Sequence, residues 1–540
     1  MCQKFNIRNL GEYHDLYLKT DILLLADVFE HFRKTCLSAY KLDPGHYYTA
    51  PGLAWDACLK MTGIELELLS DIDMHLFIEQ GLRGGVSIIT HRKGTANHKY
   101  MKHYDPKKPS KYILDLDANN LYGWSMSQSM PYKGFKWINP SNFRLRSYKK
   151  LCSNKLNKGH ILECDIEYPS NLHDLHNDYP YCPEQVVVKS EMLSDYSSNI
   201  AKQHNTKNYE FTKLIPNLNN KVKYIIHERN LRQAVDAGLI ITKIHRVLEF
   251  DQKPWMKPYI DFNTEKRKQA KNEFEKNFFK LMNNSVFGKT MENVRKRINV
   301  KLITDENELT RYLSKPYYIS SKIFNENLVA VHSIKKSVKL DKPVYVGFCI
   351  LDISKTLMYD FHYRFIKNLY ATKAKLLFTD TDSLCYEIKT KDVYQDMHDN
   401  KDMFDLSDIT DDRFKKFYDG KNKKVLGKMK PEYVNNIIQE FVGLRSKMYS
   451  IKFEDGQEHK KAKGIVYNVT QKDLRHEMYK TILETGGKMY SRMNVIRSNK
   501  HQLYTMEMNK VSLSAYDDKR WIKNDGISSF AHGHYRTKRC

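Results

Sequence analysis

Twice in this 540-residue chain an apolar, alternating strand pattern runs into aspartates. In residues 111–117 (KYILDLD), Ile113, Asp115 and Asp117 share one strand face, and Tyr112, Leu114 and Leu116 share the other. In residues 375–388, apolar strands flank the turn Asp380-Thr381-Asp382-Ser383. A carboxylate in apolar surroundings is costly unless a cation or partner compensates it. A fold that buries these strands must therefore gather positive charge at their ends. The bland alternative is an Asx turn in a hairpin and a strand closing on a polar turn, because Asp and Ser favour turns unaided.

A third segment supplies positive charge. On a helix, Lys280, Asn284, Phe287 and Gly288 follow i, i+4, i+7, i+8 spacing and share one face. That face carries a cation, an amide, an aromatic ring and bare backbone, and a core-facing stripe would not hold Lys and Asn. The whole chain is also basic: 89 Lys and Arg stand against 64 Asp and Glu, a formal charge of +25. On a folded chain this points to a polyanionic partner, most simply nucleic acid. Aromatic residues make up 12% of the chain, which argues against disorder. No stretch approaches the ~18 apolar residues of a membrane span. The nine cysteines form no CxxC pair, as in a reducing compartment with buried thiols.

The periodicity predicts an α+β chain. An amphipathic helix covers 15–32, a second one surrounds 53–61, and a strand over 86–90 follows the breaker Gly81 to Gly85. Residues 91–110 read as a linker or ribbon. Tyr259-Ile260-Asp261 ends a strand-like stretch, and Asn263 caps a long helix running to about Gly288. Residues 344–350 form a strand or buried run, and 352–370 an amphipathic helix. Residues 447–453 and 458–465 pair across Asp455-Gly456, and the remainder to Cys540 is helix-rich.

Taken together, carboxylates from two strands can hold two divalent ions, while a helical Lys holds a triphosphate and a ring packs on a base. That is the chemistry of nucleotidyl transfer. The motifs resemble the family B DNA polymerases, in particular the protein-primed branch of Polinton/Maverick-type transposons and related viruses. Asp117-Ala118-Asn119-Asn120-Leu121-Tyr122-Gly123 resembles motif A (D-x-x-S-L-Y-P). KLMNNSVFG at 280–288 resembles motif B (K-x-x-x-N-S-x-Y-G), and FTDTDS at 378–383 resembles motif C (Y-x-D-T-D-S). Lys447-Met448-Tyr449 resembles K-x-Y, and Leu82-Arg83-Gly84-Gly85 resembles the Y-x-G-G linker motif. Tyr17 and Asp21 resemble the third exonuclease motif, Y-x-x-x-D, without the two that should precede it.

The resemblance implies a palm, fingers and thumb with the tail of a 3′–5′ exonuclease domain that cannot edit. It implies exonuclease remnant over 1–50, linker over 51–110, palm over 111–140, 220–260 and 344–430, and fingers over 261–290. Insertions would occupy 141–219 and 291–343, and the K-x-Y motif and thumb 431–540. It implies two Mg²⁺ ions (or Mn²⁺), with Asp117 and Asp382 as ligands and Asp380 beside them in the catalytic centre. Lys280, with Arg267 or Lys268, would contact the dNTP triphosphate; Tyr122, Asn284, Phe287 and Gly288 would line the nucleotide. Arg83, Gly84, Gly85, Ser383, Lys447 and Tyr449 would contact DNA. The implied partners are template–primer DNA, dNTPs and a priming protein, and the implied setting is intracellular, nuclear or a viral replication site.

Several positions depart from the family pattern: Asn120 for Ser, Gly123 for Pro, Phe287 and Phe378 for Tyr, and Arg83 for an aromatic. Reverse transcriptase, with its adjacent Y-x-D-D acids, is disfavoured by Thr381 between the aspartates. The remaining alternative is a decayed or domesticated polymerase fragment that binds DNA without catalysis. His173-Asp174-Leu175-His176 reads as a solvated turn rather than a metal site.

Overall fold

The structure is a computed structural model that describes residues 4–142, 157–206, 211–499 and 502–537. Its centre is a five-stranded antiparallel sheet. In spatial order the strands are Ser87–Ile89, Ala374–Asp380, Ser383–Lys389, Lys111–Ala118 and Met429–Pro431. The alternation seen in KYILDLD sorts its side chains between two cores, as period-2 strands require. Tyr112, Leu114 and Leu116 join Leu384, Tyr386, Met358 and Tyr359 in the larger core. Ile113 joins Cys385, Phe378, Phe441 and Tyr449 in a second core, built with the sheet Glu458–Ala462, Met448–Phe453, Ile438–Arg445 and Lys93–Thr95.

The 344–350 run and the 352–370 helix are one continuous element. Val344–Tyr359 is a helix buried on nearly every side, followed by a π-helical turn over Asp360–Ile366. A helix apolar all round belongs in a core, and without polar alternation its first turns resemble a buried strand. Its polar residues are paired internally. The buried Asp352 accepts hydrogen bonds from the His227 backbone N–H (2.7 Å) and from Asn230 Nδ2 (3.1 Å).

Residues 257–290 differ from the single capped helix that the sequence suggests. Lys257–Gln269 and Glu273–Thr290 are separate helices. Pro258 sits in the first turn of the first, where its missing N–H costs nothing, so Tyr259-Ile260-Asp261 is helical rather than strand-like. Asn263 caps nothing: it is buried mid-helix, where it donates to Asn283 Oδ1 at 3.0 Å and accepts from the Tyr40 hydroxyl. Asn272 is the N-cap of the second helix, accepting from Glu275 N at 2.8 Å.

The boundaries of the expected first insertion also shift. Lys158–Glu167 is a central strand of a sheet ordered Met130–Ile138, Ile240–Lys253, Lys158–Glu167 and Lys221–His227. Residues 291–343 hold a small sheet of Asn299–Ile303, Leu328–Ser333 and Tyr318–Asn325 with the helix Glu306–Leu313. The C-terminal part is not helix-rich throughout. After helix His476–Thr485 comes a long two-stranded ribbon, Lys488–Asn499 with Gln502–Ser514. At the chain start, helix Leu10–Tyr40 buries only Cys36 and Tyr40 and exposes Ile22, Leu23, Leu25 and Phe29. The six cysteines among the described residues are buried and free, and no described helix is long and apolar enough to cross a membrane.

Asp352→Ala leaves two buried donors unmatched. It should lower unfolding stability by roughly 2–3 kcal/mol, read as a shifted denaturant midpoint at unchanged slope, and Asp352→Asn should lose less.

Candidate active site

Strand register brings the two acidic motifs together. Ser383 lies opposite Asp117 and Cys385 opposite Asp115. The Ala118 N–H donates to the Asp382 carbonyl at 2.8 Å, which clamps the motif C turn to the end of the motif A strand. The turn is tight: Thr381 is left-handed (φ +74°), and its N–H donates to Val86 at 2.8 Å. Gly85 leaves room for it, since a Cβ there would lie 2.4 Å from the Thr381 side chain. Gly85 therefore shapes the Asp380–Ser383 turn from behind, whereas Gly84 faces open space.

Charge accumulates at this end of the sheet. Burial, then the neighbouring Asp382, Glu432 and Asp115, push the Asp117 pKa up to about 8, with Lys280 opposing. Burial and Glu432 push Asp115 up to about 7. Burial and Asp380 also raise Asp382, opposed by Lys447 and Lys461. Asp380 is neutralised from within: its Oδ1 lies 2.9 Å from Lys447 Nζ. The carboxylates left uncompensated at the strand ends are Asp117 and Asp382. Among the described residues no three His, Cys, Asp or Glu side chains form a ready-made metal cage.

The helix Glu273–Thr290 lies over these acids. Lys280, Asn284 and Gly288 are exposed and Phe287 half-buried on one face, while Met282, Asn283 and Val286 anchor the other side. Tyr122 stacks on Phe287 with ring centroids 4.5 Å apart, and burial plus Asp382 lift its hydroxyl to about 12. A sugar could rest on this stacked pair. A Cβ at Gly288 would meet nothing within 4 Å, so bare backbone is presented.

Two motif A departures form one unit. Asn120 is left-handed (φ +44°), and its Oδ1 accepts from Gly123 N at 3.1 Å. A Cβ at Gly123 would lie 2.4 Å from the Asn120 amide. Proline there would supply no N–H and would collide, so Asn120 and Gly123 require one another. Phe378 is buried and stacks on Tyr449 at 4.5 Å.

Other expected contacts lie elsewhere. Arg83 is used inside the protein: its guanidinium covers the Tyr224 ring at 3.8 Å and donates to the Ile225 and Gly81 carbonyls at 2.7 and 3.1 Å. Tyr449 is only 4% exposed and belongs to the sheet core, so Lys447 and Ser383 are the parts of those motifs that face the site. Tyr17 and Asp21 lie on the exposed helix Leu10–Tyr40. His176 bonds the Tyr168 hydroxyl at 2.9 Å and His173 accepts from Tyr535 N at 3.0 Å, which makes both structural. Sequence reasoning missed Glu432 and Lys461, which act on the acids across strands with no motif to mark them.

Paired carboxylates on adjacent strand ends, roofed by a helix bearing Lys, Asn and an aromatic, define a polymerase palm and fingers. The model of the family DNA polymerase type B, organellar and viral, matches residues 9–368, and the chain belongs to that family. The fold is similar to that of phi29 DNA polymerase complexed with primer-template DNA and incoming nucleotide substrates (TM-score 0.51, 15% identity, 87% of this chain and 68% of that one). It is similar as well to the phi29 enzyme in a post-translocation binary complex with primer-template DNA (TM-score 0.50, 13% identity, 86% and 68%). No curated protein sequence matches the chain.

The raised acids predict a pH effect. An acid whose folded pKa exceeds its unfolded one stabilises the fold fully below the unfolded pKa and loses that contribution as pH rises through the folded pKa. For Asp117 the loss runs from about pH 4 to about pH 8. Without divalent ions, Asp117→Asn should match wild type in Tm near pH 4 and exceed it near pH 9, and Mg²⁺ should reverse the order at pH 9. A Tm difference that does not change with pH would contradict this.

Proposed function

We propose that the chain is a DNA-directed DNA polymerase that adds deoxynucleotides to a primer 3′-hydroxyl opposite a template. The observation that carries this reading is the register that sets Asp117 beside Ser383, and hence Asp117 and Asp382 at neighbouring strand ends within reach of Lys280's charge. Asp117 and Asp382 would hold two Mg²⁺ ions, or Mn²⁺. Bound there, such ions activate an attacking hydroxyl and stabilise a leaving oxygen. The chain's own residues do the rest. Lys280 holds the triphosphate so that pyrophosphate leaves in line with the attack. The Tyr122–Phe287 stack supports the sugar, and Asn284 lines the nascent base pair. Asp380 fixes Lys447 where a primer phosphate would lie. Basic surface binds phosphates without reading sequence.

Phi29 polymerase, whose fold is similar, is described with primer-template DNA and incoming nucleotides, and the same partners are proposed here. Protein priming, with the insertions at 141–219 and 291–343 contacting a priming protein and encircling the template, and replication of a transposon or viral genome in the nucleus or at a viral replication site complete the proposal. Asp21 without companion carboxylates would give these residues no editing activity.

In primer extension, Asp117→Asn and Asp382→Asn should each abolish incorporation, and the double variant should be no worse, because both serve one site. Without dNTPs, wild type should leave the primer 3′ end intact. Robust incorporation by either Asn variant would overturn the site, trimming that disappears in Asp21→Ala would overturn the absence of editing, and DNA binding without incorporation by wild type would favour a non-catalytic relative. Separately, Tyr122→Val should raise the ratio of ribonucleotide to deoxyribonucleotide incorporation at least tenfold, on the order of 1.4 kcal/mol of lost discrimination; an unchanged ratio would remove the steric role.

A further inference from the structure

Lys424 lies outside every recognised motif, yet the fold places it with unusual care. Its backbone is left-handed (φ +55°), a conformation that Gly or Asn adopts more readily than Lys. A buried carboxylate holds it there. Asp405, 2% exposed, accepts from the Lys424 N–H at 2.8 Å and, on the same oxygen, from Asn119 Nδ2 at 2.7 Å. Asn119 stands two residues after Asp117. Its carbonyl accepts from Gly427 N (2.8 Å), and its N–H donates to the Lys428 carbonyl (2.9 Å). The 424–428 loop is thus bolted to the motif A turn, and a strained backbone is retained at a residue whose side chain is long and charged.

That side chain meets the fingers. Lys424 and Lys268 both line a cavity of about 440 Å³ between the helix Lys257–Gln269 and the 424–426 segment. Of the two acids in that cavity, Asp261 is paired with Lys257, while Glu265 accepts a hydrogen bond from Gln269 Nε2 at 2.8 Å and keeps its charge. Arg267, on the same helix, is half-buried, and its Nε has no hydrogen-bond partner among the described residues. Arg267, Lys276 and Lys423 all repel the Lys424 ammonium, which is half-buried as well. Among the described residues no carboxylate lies within ion-pairing distance of Arg267, Lys268, Lys280 or Lys424, whereas Lys257 and Lys276 both have one. Cations from two separate parts of the chain thus lie without an ion-pair partner of their own, with Asp408 acting on Lys424 only from a distance, and a polyanion between them would gain several charge-assisted contacts.

We propose that Lys424 is the palm's own ligand for the β- and γ-phosphates of the incoming nucleotide, closing from below a polyphosphate clamp whose upper jaw is Arg267, Lys268 and Lys280. This rests on the polymerase reading and adds a binding residue to it. Because Asp405 ties Lys424 to Asn119, the phosphate tail is gripped from the same turn that carries Asp117, so the α-phosphate is set relative to the acids by one rigid piece of chain.

The test is single-nucleotide primer extension by the full chain, with inorganic tripolyphosphate as competitor, for wild type, Lys424→Ala and Lys424→Arg. Loss of one charge-assisted contact corresponds to about a tenfold to hundredfold weaker interaction. Lys424→Ala should raise the dNTP KM about tenfold or more and weaken tripolyphosphate inhibition by a similar factor. Its kcat should stay within about threefold, with Tm and primer–template Kd unchanged, and Lys424→Arg should restore both constants. Unchanged KM and inhibition in Lys424→Ala would overturn the proposal. So would a defect confined to primer–template affinity, which would make Lys424 a DNA contact. If wild type does not extend primers, the polymerase reading fails, and calorimetric binding of tripolyphosphate to wild type and Lys424→Ala still decides the clamp: equal affinity overturns it.

Discussion

The structure turns on electrostatic repulsion held in place by hydrogen-bonded strands. Two antiparallel strands end side by side with Asp117 and Asp382 at their tips, and the backbone bond from Ala118 to Asp382 prevents the tips from parting. Like charges in a half-buried site favour protonation or a cation. The fold supplies too little positive charge to settle them: Lys447 is committed to Asp380, and Lys280 stands on a separate element. A site with excess negative charge below and unpaired positive charge above is primed for a ligand that carries both, and a metal-bound nucleoside triphosphate is such a ligand.

Much of the remaining architecture serves to keep this arrangement rigid. The C-terminal end of the buried helix Val344–Tyr359, with Met358 and Tyr359, backs one face of the sheet, and the Phe378–Tyr449–Phe441 stack backs the other. Gly85 lets the linker pass against Thr381, and Arg83 fastens the same linker to Tyr224 and Ile225. The linker motif therefore acts here as a brace for the motif C turn. The coupled replacement of Ser and Pro by Asn120 and Gly123 shows the same logic within motif A: the turn is kept by a different pair of partners.

The strands and the acids were legible in the amino-acid sequence because the period-2 pattern of 111–117 and the turn at 380–383 are local, and the alternation decides which of two cores each side chain enters. The shared face of Lys280, Asn284, Phe287 and Gly288 was legible for the same reason at period 3.6. What was hidden depended on contacts between distant segments. Nothing in Val344–Ile350 separates a buried strand from a buried helix, since both are apolar throughout. Asn263 looks like a cap in sequence, but Tyr40 and Asn283, far away in the chain, bury it mid-helix. Lys158–Glu167 looked like part of an insertion because its partners Lys221–His227 and Ile240–Lys253 come much later. The internal role of Arg83 was hidden because the ring it covers, Tyr224, lies far away in the chain. Lys424 has no motif at all, and only Asp405 and the fingers give it meaning.

The central claim is that Asp117 and Asp382, and not Asp380, hold the ions that this site requires. It is tested most directly by anomalous diffraction from Mn²⁺ in crystals of the protein with a dideoxy-terminated primer–template and the next dNTP. The account predicts manganese between the Asp117 and Asp382 carboxylates and the triphosphate, with Asp380 still paired to Lys447. Manganese ligated by Asp380, or none between Asp117 and Asp382 while nucleotide is bound, would contradict it.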